Sequence, residues 1–114
     1  MVPRTLAAVL DLFTAGRLDG AAASFSEEAT YQEARNEPIR GRAAIAAEFA
    51  RYAEAGVLFS VEVDEVIVDG KHACVEYRFK VRRGAAEPWR ERAGCATVRF
   101  DERGLIASWR EYEG

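Results

Sequence analysis

Histidine occurs once in this chain of 114 residues and cysteine twice. Those three side chains are too few to close a zinc site of four ligands, so no metal or other cofactor is expected. Basic residues are also short: 16 Lys and Arg face 19 Asp and Glu, giving a net charge of −3 and a pI near 5.3. A nucleic-acid binder neutralises phosphates with a basic face, so no nucleic-acid partner is expected. No apolar run reaches the roughly 20 residues of a membrane-spanning helix, so no membrane partner is expected either. Proline appears only three times, and no repeat or low-complexity linker interrupts the chain. Residues 1–114 therefore read as one domain with a single core. The opening M-V-P-R-T-L-A-A-V-L lacks a small-residue cleavage site and runs directly into an amphipathic pattern. It reads as a helix and not as an export signal. The matching expectation is a cytoplasmic, reducing location with both thiols free.

What is present is a change of period. Leu6, Val9, Leu10 and Phe13 recur at helical spacing after Thr5, a candidate cap, and Gly16 suits the stop. Asp19 can cap a second short helix, G-A-A-A-S-F, ending near Ser26. Residues 29 to 34 alternate as a strand, with Tyr31 and Glu33 on one face. Pro38 and Gly41 punctuate the following loop. Residues 42 to 55 form a third helix, with Ile45, Phe49 and Tyr52 on one stripe and Gly56 beyond its end.

After Gly56 the period becomes two. Val57, Phe59, Val61 and Val63 alternate with Leu58, Ser60, Glu62 and Asp64, and the run continues through Val66-Ile67-Val68 to a hairpin signal at Asp69-Gly70. The next strand sets Ala73, Val75, Tyr77, Phe79 and Val81 against Cys74, Glu76, Arg78 and Lys80. Residues 89 to 101 set Gly94, Ala96, Val98 and Phe100 against Cys95, Thr97 and Arg99. A turn at Glu102-Arg103-Gly104 leads into the last strand, L-I-A-S-W-R-E-Y-E. Three helices, one early strand and a long meander make an α+β pattern: a curved, mainly antiparallel sheet wrapped around helices, with a pocket at its open end.

Three stretches, F-S-E-E-A-T-Y-Q-E at 25–33, P-I-R-G-R-A-A-I at 38–45 and G-L-I-A-S-W-R-E-Y at 104–112, resemble in order and spacing the NTF2-like superfamily. This is the cone-shaped fold of SnoaL-like polyketide cyclases, ketosteroid isomerases and limonene epoxide hydrolases. Against the isomerases, Glu33 takes the place of the general base, but the two oxyanion donors fall at Val9 and Ala96, which cannot donate. Against the epoxide hydrolases, Glu33 stands where an asparagine is expected and Glu111 where a water-activating aspartate is. Their central arginine and second aspartate fall at Tyr77 and Phe79. The SnoaL-like group is the least contradicted.

That resemblance implies a small hydrophobic ligand in the cone, with Glu33 or Glu111 as acid/base of an isomerase, cyclase or lyase. Tyr31, Phe49, Tyr52, Tyr77, Phe79, Arg92 and Trp109 would line the cavity and bind the ligand, and small Gly94 and Ala96 would leave room in it. A buried Glu111 needs a partner, and Arg92 on the fourth strand is the nearest candidate. His72 reads as an exposed turn residue. Cys74 and Cys95 fall on the outer face without an activating base. The superfamily also implies a homodimer through that outer face. Two alternatives stay open: a binding module with the same pocket and no turnover, and a protein-interaction module that uses the sheet face.

Overall fold

The computed structural model describes residues 2–114. Helix α1 (Arg4–Thr14) is followed by strand β1 (Phe25–Gln32), the short β2 (Ile39–Arg40) and helix α2 (Arg42–Glu54). Strands β3 (Leu58–Asp69), β4 (His72–Arg82), β5 (Arg90–Phe100) and β6 (Ile106–Glu113) complete the chain. Together they form one six-stranded sheet in the order β2-β1-β6-β5-β4-β3. Every pairing is antiparallel except that of β1 with β6. No helix among the described residues is long and apolar enough to cross a membrane.

The expected α+β architecture is present, with one correction. Among the described residues there are two α-helices, and the segment read as the second, short helix is a single 3-10 turn, Ala21–Ser24. Four small residues between Gly20 and Phe25 cannot repay the nucleation cost of an α-helix. Phe25, fully buried, already belongs to β1, so this strand starts earlier than the alternation of 29–34 suggested. It also ends earlier, and Glu33 lies just past it, in the turn. Neither proposed cap acts as one. Thr5 lies inside the first turn of α1 and donates to the Gly104 carbonyl at 2.6 Å. Asp19 pairs with Arg17 at 2.7 Å.

The apolar stripe of α1 is buried as its spacing requires: Leu6, Val9, Leu10 and Phe13 face the sheet. Gly16 ends the helix at φ 71°, and a Cβ there would sit 2.5 Å from the Phe59 carbonyl oxygen. A residue without a side chain is thus needed both for the left-handed turn and for the passage of β3. In β4 and β5 the alternation selects the faces correctly. Ala73, Val75, Tyr77, Ala96, Val98 and Phe100 are buried, while Glu76, Arg78, Thr97 and Arg99 are exposed. Strand β3 changes register between Val63 and Glu65. This bulge moves the inward set from Val61 and Val63 to Val66 and Val68, leaving Ile67 54% exposed on the outer face.

Candidate functional site

Beyond the packed core, the sheet and the two helices leave a cavity of about 350 Å³, within the roughly 300–1,000 Å³ of small-molecule sites. Leu10 and Phe13 of α1, Phe49 and Tyr52 of α2, and Phe59 and Val61 of β3 contribute to its walls. Tyr31 comes from β1, Tyr77 and Phe79 from β4, and Trp109 and Glu111 from β6. Alternation puts Tyr77 beside Phe79 and Trp109 beside Glu111 on the concave face. The parallel register sets Tyr31 directly against Trp109.

The aromatic wall is tightly interlocked. The rings of Tyr31 and Trp109 lie nearly parallel, 20° apart with centroids at 6.4 Å. Phe49 meets Tyr31 edge-on at 5.2 Å, and Phe13 meets Trp109 edge-on at 5.7 Å. These arrangements suit the ring quadrupoles and fix side chains that would otherwise rotate.

Glu111 is held within this wall. The Trp109 indole Nε1–H donates to its Oε2 at 2.9 Å, and the Tyr31 hydroxyl donates to the same oxygen at 3.3 Å. Burial raises the pKa of Glu111 more than these donors lower it. With further repulsion from Glu33 and Glu113, the carboxyl is pushed up from its ordinary 4.5 to about 7. Tyr31 is itself shifted well upward, first by burial and then by Glu111, so it remains a donor at neutral pH.

Glu33 occupies a different setting. It opens a turn closed by the Asn36 N–H donating to its carbonyl at 3.1 Å, with Arg35 in the left-handed region at φ 66°. The turn brings the Asn36 side-chain amide to Glu33 Oε1 at 3.3 Å, while the Tyr52 hydroxyl donates to that oxygen at 2.6 Å. Burial and this bond hold the Tyr52 phenol above its ordinary range. Tyr77 is raised as well, by burial first and then by Glu111.

Both glutamates and six of the seven proposed lining residues therefore meet in one cavity. Arg92 does not. It is exposed, pairs with Glu113 at 3.5 Å, and is absent from the walls. Register explains the difference: Ala96 faces Glu111, and Arg92 lies four residues further along β5, about 13 Å away at the strand rise. Nor does Gly94 leave open space, since a Cβ there would lie 2.5 Å from the Tyr112 carbonyl oxygen and 3.5 Å from the Tyr77 ring. Ala96 is fully buried. Asn36 and Arg83 were not anticipated as lining residues. Asn36 sits in a loop without periodicity, where only its distance of three from Glu33 could have drawn notice. Phe59 and Val61 were legible as inward residues of β3.

Three comparisons bear on this geometry. The SnoaL-like domain family matches residues 6–109, whereas no curated protein matches the sequence. Among solved structures, an LEH-like epoxide hydrolase of M. tuberculosis has a TM-score of 0.83 at 22% identity, covering 98% of this chain and 81% of that one. A hypothetical protein with a ketosteroid isomerase-like fold from Catenulispora acidiphila, in complex with trimethylamine, gives 0.83 at 18%, covering 98% and 86%. SalBIII, an epoxide hydrolase/cyclase-like enzyme of pyran ring formation in the polyether salinomycin, gives 0.78 at 22%, covering 96% and 88%. Likeness at these identities establishes the fold and leaves the chemistry to the site. By its family match over nearly the whole length, and by the cone that encloses Trp109 and Glu111, the chain belongs to the SnoaL-like domain family.

Proposed function

We propose that this protein binds a small, largely hydrophobic molecule in the cone cavity and moves a proton on it, as an isomerase, cyclase or lyase, with Glu111 as the acid/base. The observation that carries this reading is the Glu111 carboxyl: aromatic walls surround it, Trp109 and Tyr31 orient it, and its pKa is pushed up to about 7. A group that titrates near the working pH both accepts and returns a proton efficiently. Tyr77 keeps its proton and is the candidate donor to a developing oxyanion, since Val9 and Ala96 cannot serve and the Tyr31 hydroxyl already donates to Glu111. Glu33, bonded to Tyr52 and Asn36, stands as the second carboxylate of the cavity.

The test begins with native mass spectrometry of protein purified from its own host, which identifies a retained ligand. With that compound or its close analogues at saturation, Glu111→Gln should lower turnover at least a hundredfold, an effect of the usual size for a positioned acid/base, about 10²–10⁴-fold. The inflection near pH 7 in kcat/KM, which reports the free enzyme, should vanish with it. Wild-type turnover in Glu111→Gln would remove Glu111 from the mechanism, and the same result in Glu33→Gln would leave Glu33 as a rim residue.

We propose also that two copies pair through the outer sheet face. Ile67 and Tyr112 are exposed there, beside half-buried Cys74 and Cys95, a mixed surface of the kind that self-association covers. Light scattering at micromolar concentration should report a dimer, with Ile67→Asp shifting it to monomer. A monomeric wild type would dispose of this assembly.

A further inference from the structure

Resting on the reading that the cavity holds a small molecule, we infer that its ligand is a hydrophobic amine, bound as the ammonium ion against Glu111 and Glu33. The charge of the lining favours a cation. Three carboxylates, from Glu33, Glu111 and Glu113, line the cavity with one cation, Arg83. Glu113 pairs with Arg92, and among the described residues neither Glu33 nor Glu111 is in an ion pair.

The hydrogen-bonding groups of the lining favour a ligand that donates. The donors of Trp109, Tyr31, Tyr52 and Asn36 are already directed at the two carboxylates, two to each. What the lining still offers a ligand is mainly acceptor capacity, because an ionised carboxylate has about four lone-pair positions. A ligand carboxylate or phosphate would meet repulsion and few free donors. An ammonium supplies the missing donors and the missing charge.

The wall itself suits an organic cation. Tyr31, Trp109, Phe49, Tyr77 and Phe79 border the cavity, and their negative ring faces attract an organic cation while their apolar area receives its hydrocarbon body.

The pH dependence follows from the groups facing the ammonium. They are Tyr31 of β1, Glu33 in the turn after it, Tyr52 of α2, Tyr77 of β4, Glu111 and Glu113 of β6, and Arg83. Burial holds the three phenols above their ordinary values, while Glu111 is pushed up to about 7. An alkylamine stays protonated below about pH 9. Its affinity should therefore rise as Glu111 ionises, roughly tenfold between pH 6 and pH 8.5.

The experiment titrates benzylamine, benzyl alcohol and benzoate into the full-length protein at both pH values. The readout is the Trp109 indole N–H resonance, with exposed Trp89 as the internal control. Benzylamine should bind at least tenfold tighter than benzyl alcohol at pH 8.5, and benzoate weakest. The preference should shrink at pH 6 and in Glu111→Gln, where benzyl alcohol affinity stays within threefold of wild type. Equal binding of alcohol and amine at pH 8.5, or tighter binding of benzoate, overturns the amine assignment and leaves the cavity reading intact. If none of the three moves the Trp109 resonance at millimolar concentration, the cavity reading falls and this inference with it.

Discussion

The two ends of the cone are built from the same strands by the same alternation, yet they do different things. At the closed end Ala73 and Val75 of β4 meet Ala96 and Val98 of β5, with Leu6, Val9 and Ile106 packed nearby in one core. At the open end β4 carries Tyr77 and Phe79 and β6 carries Trp109 and Glu111, around empty volume. Apolar side chains without polar atoms, Leu6, Phe25, Val75, Val98 and Ile106 among them, fill the narrow part and are almost wholly shielded from solvent. Large aromatic residues with polar tips hold the wide part apart. Position along the strand, not the face of the sheet, separates scaffold from site.

The sharpest way to break that division is to place a charge at each end. Val75→Asp at the closed end puts an unpaired carboxylate where no water and no cation reach, a loss of about 3–5 kcal/mol. We expect it to prevent cooperative folding as followed by circular dichroism. The open end already tolerates Glu111, so Phe79→Asp there should leave folding cooperative, at a cost of about 1–2 kcal/mol for the lost half-buried ring. Comparable losses at both positions would refute the contrast.

A smaller effect tests the carboxylate directly. The pKa of Glu111 in the folded state is raised above its ordinary 4.5 to about 7, so the folded protein binds this proton more tightly than the unfolded chain. The stability linked to it is fully present below pH 4.5 and is lost as pH rises to about 7. Glu111→Gln abolishes that loss. Relative to wild type, the variant should gain on the order of 3 kcal/mol between pH 4.5 and pH 8 in urea unfolding, by the linkage of pKa and stability. A difference that is flat with pH would mean that Glu111 is not desolvated.

The smallest effect concerns Tyr52 and Glu33. Tyr52→Phe removes the 2.6 Å bond to Glu33 and should destabilise by about 1 kcal/mol, while changing turnover less than Glu111→Gln does. A larger turnover loss in Tyr52→Phe would transfer the chemical role to Glu33.

How far all this was legible follows the physics of each segment. Strands β4 and β5 were read correctly because their alternation spans most of eleven residues each, and a one-residue slip would expose the whole apolar set. The A-A-A-S segment carried composition without length, so helix propensity misled there. Trp109 and Glu111 were legible as a pair because residues two apart in a strand share a face. Their mutual hydrogen bond was overlooked in favour of an arginine from another strand, whose distance depends on register. Register is set by turns and bulges, such as the shift between Arg99 and Phe100, which one-dimensional pattern does not fix. The turn at 33–36 was hidden for a similar reason, since Arg35 adopts a backbone angle more usual for glycine or asparagine.

The position of β6 has a consequence for how the molecule is made. This strand lies between β1 and β5 in the sheet, although it follows every other strand in chain order. During synthesis the hairpins of β3, β4 and β5 can form as they leave the ribosome, but β1 and β2 have no sheet to join until β6 arrives. The same segment brings Trp109 and Glu111, so the cavity and its acid are completed in the step that unites the two parts of the sheet. Because β1 meets β6 across most of the chain, that step is a closure of long sequence separation and belongs to the slow class. A folding chain can therefore hold its helices and hairpins before it owns a binding site.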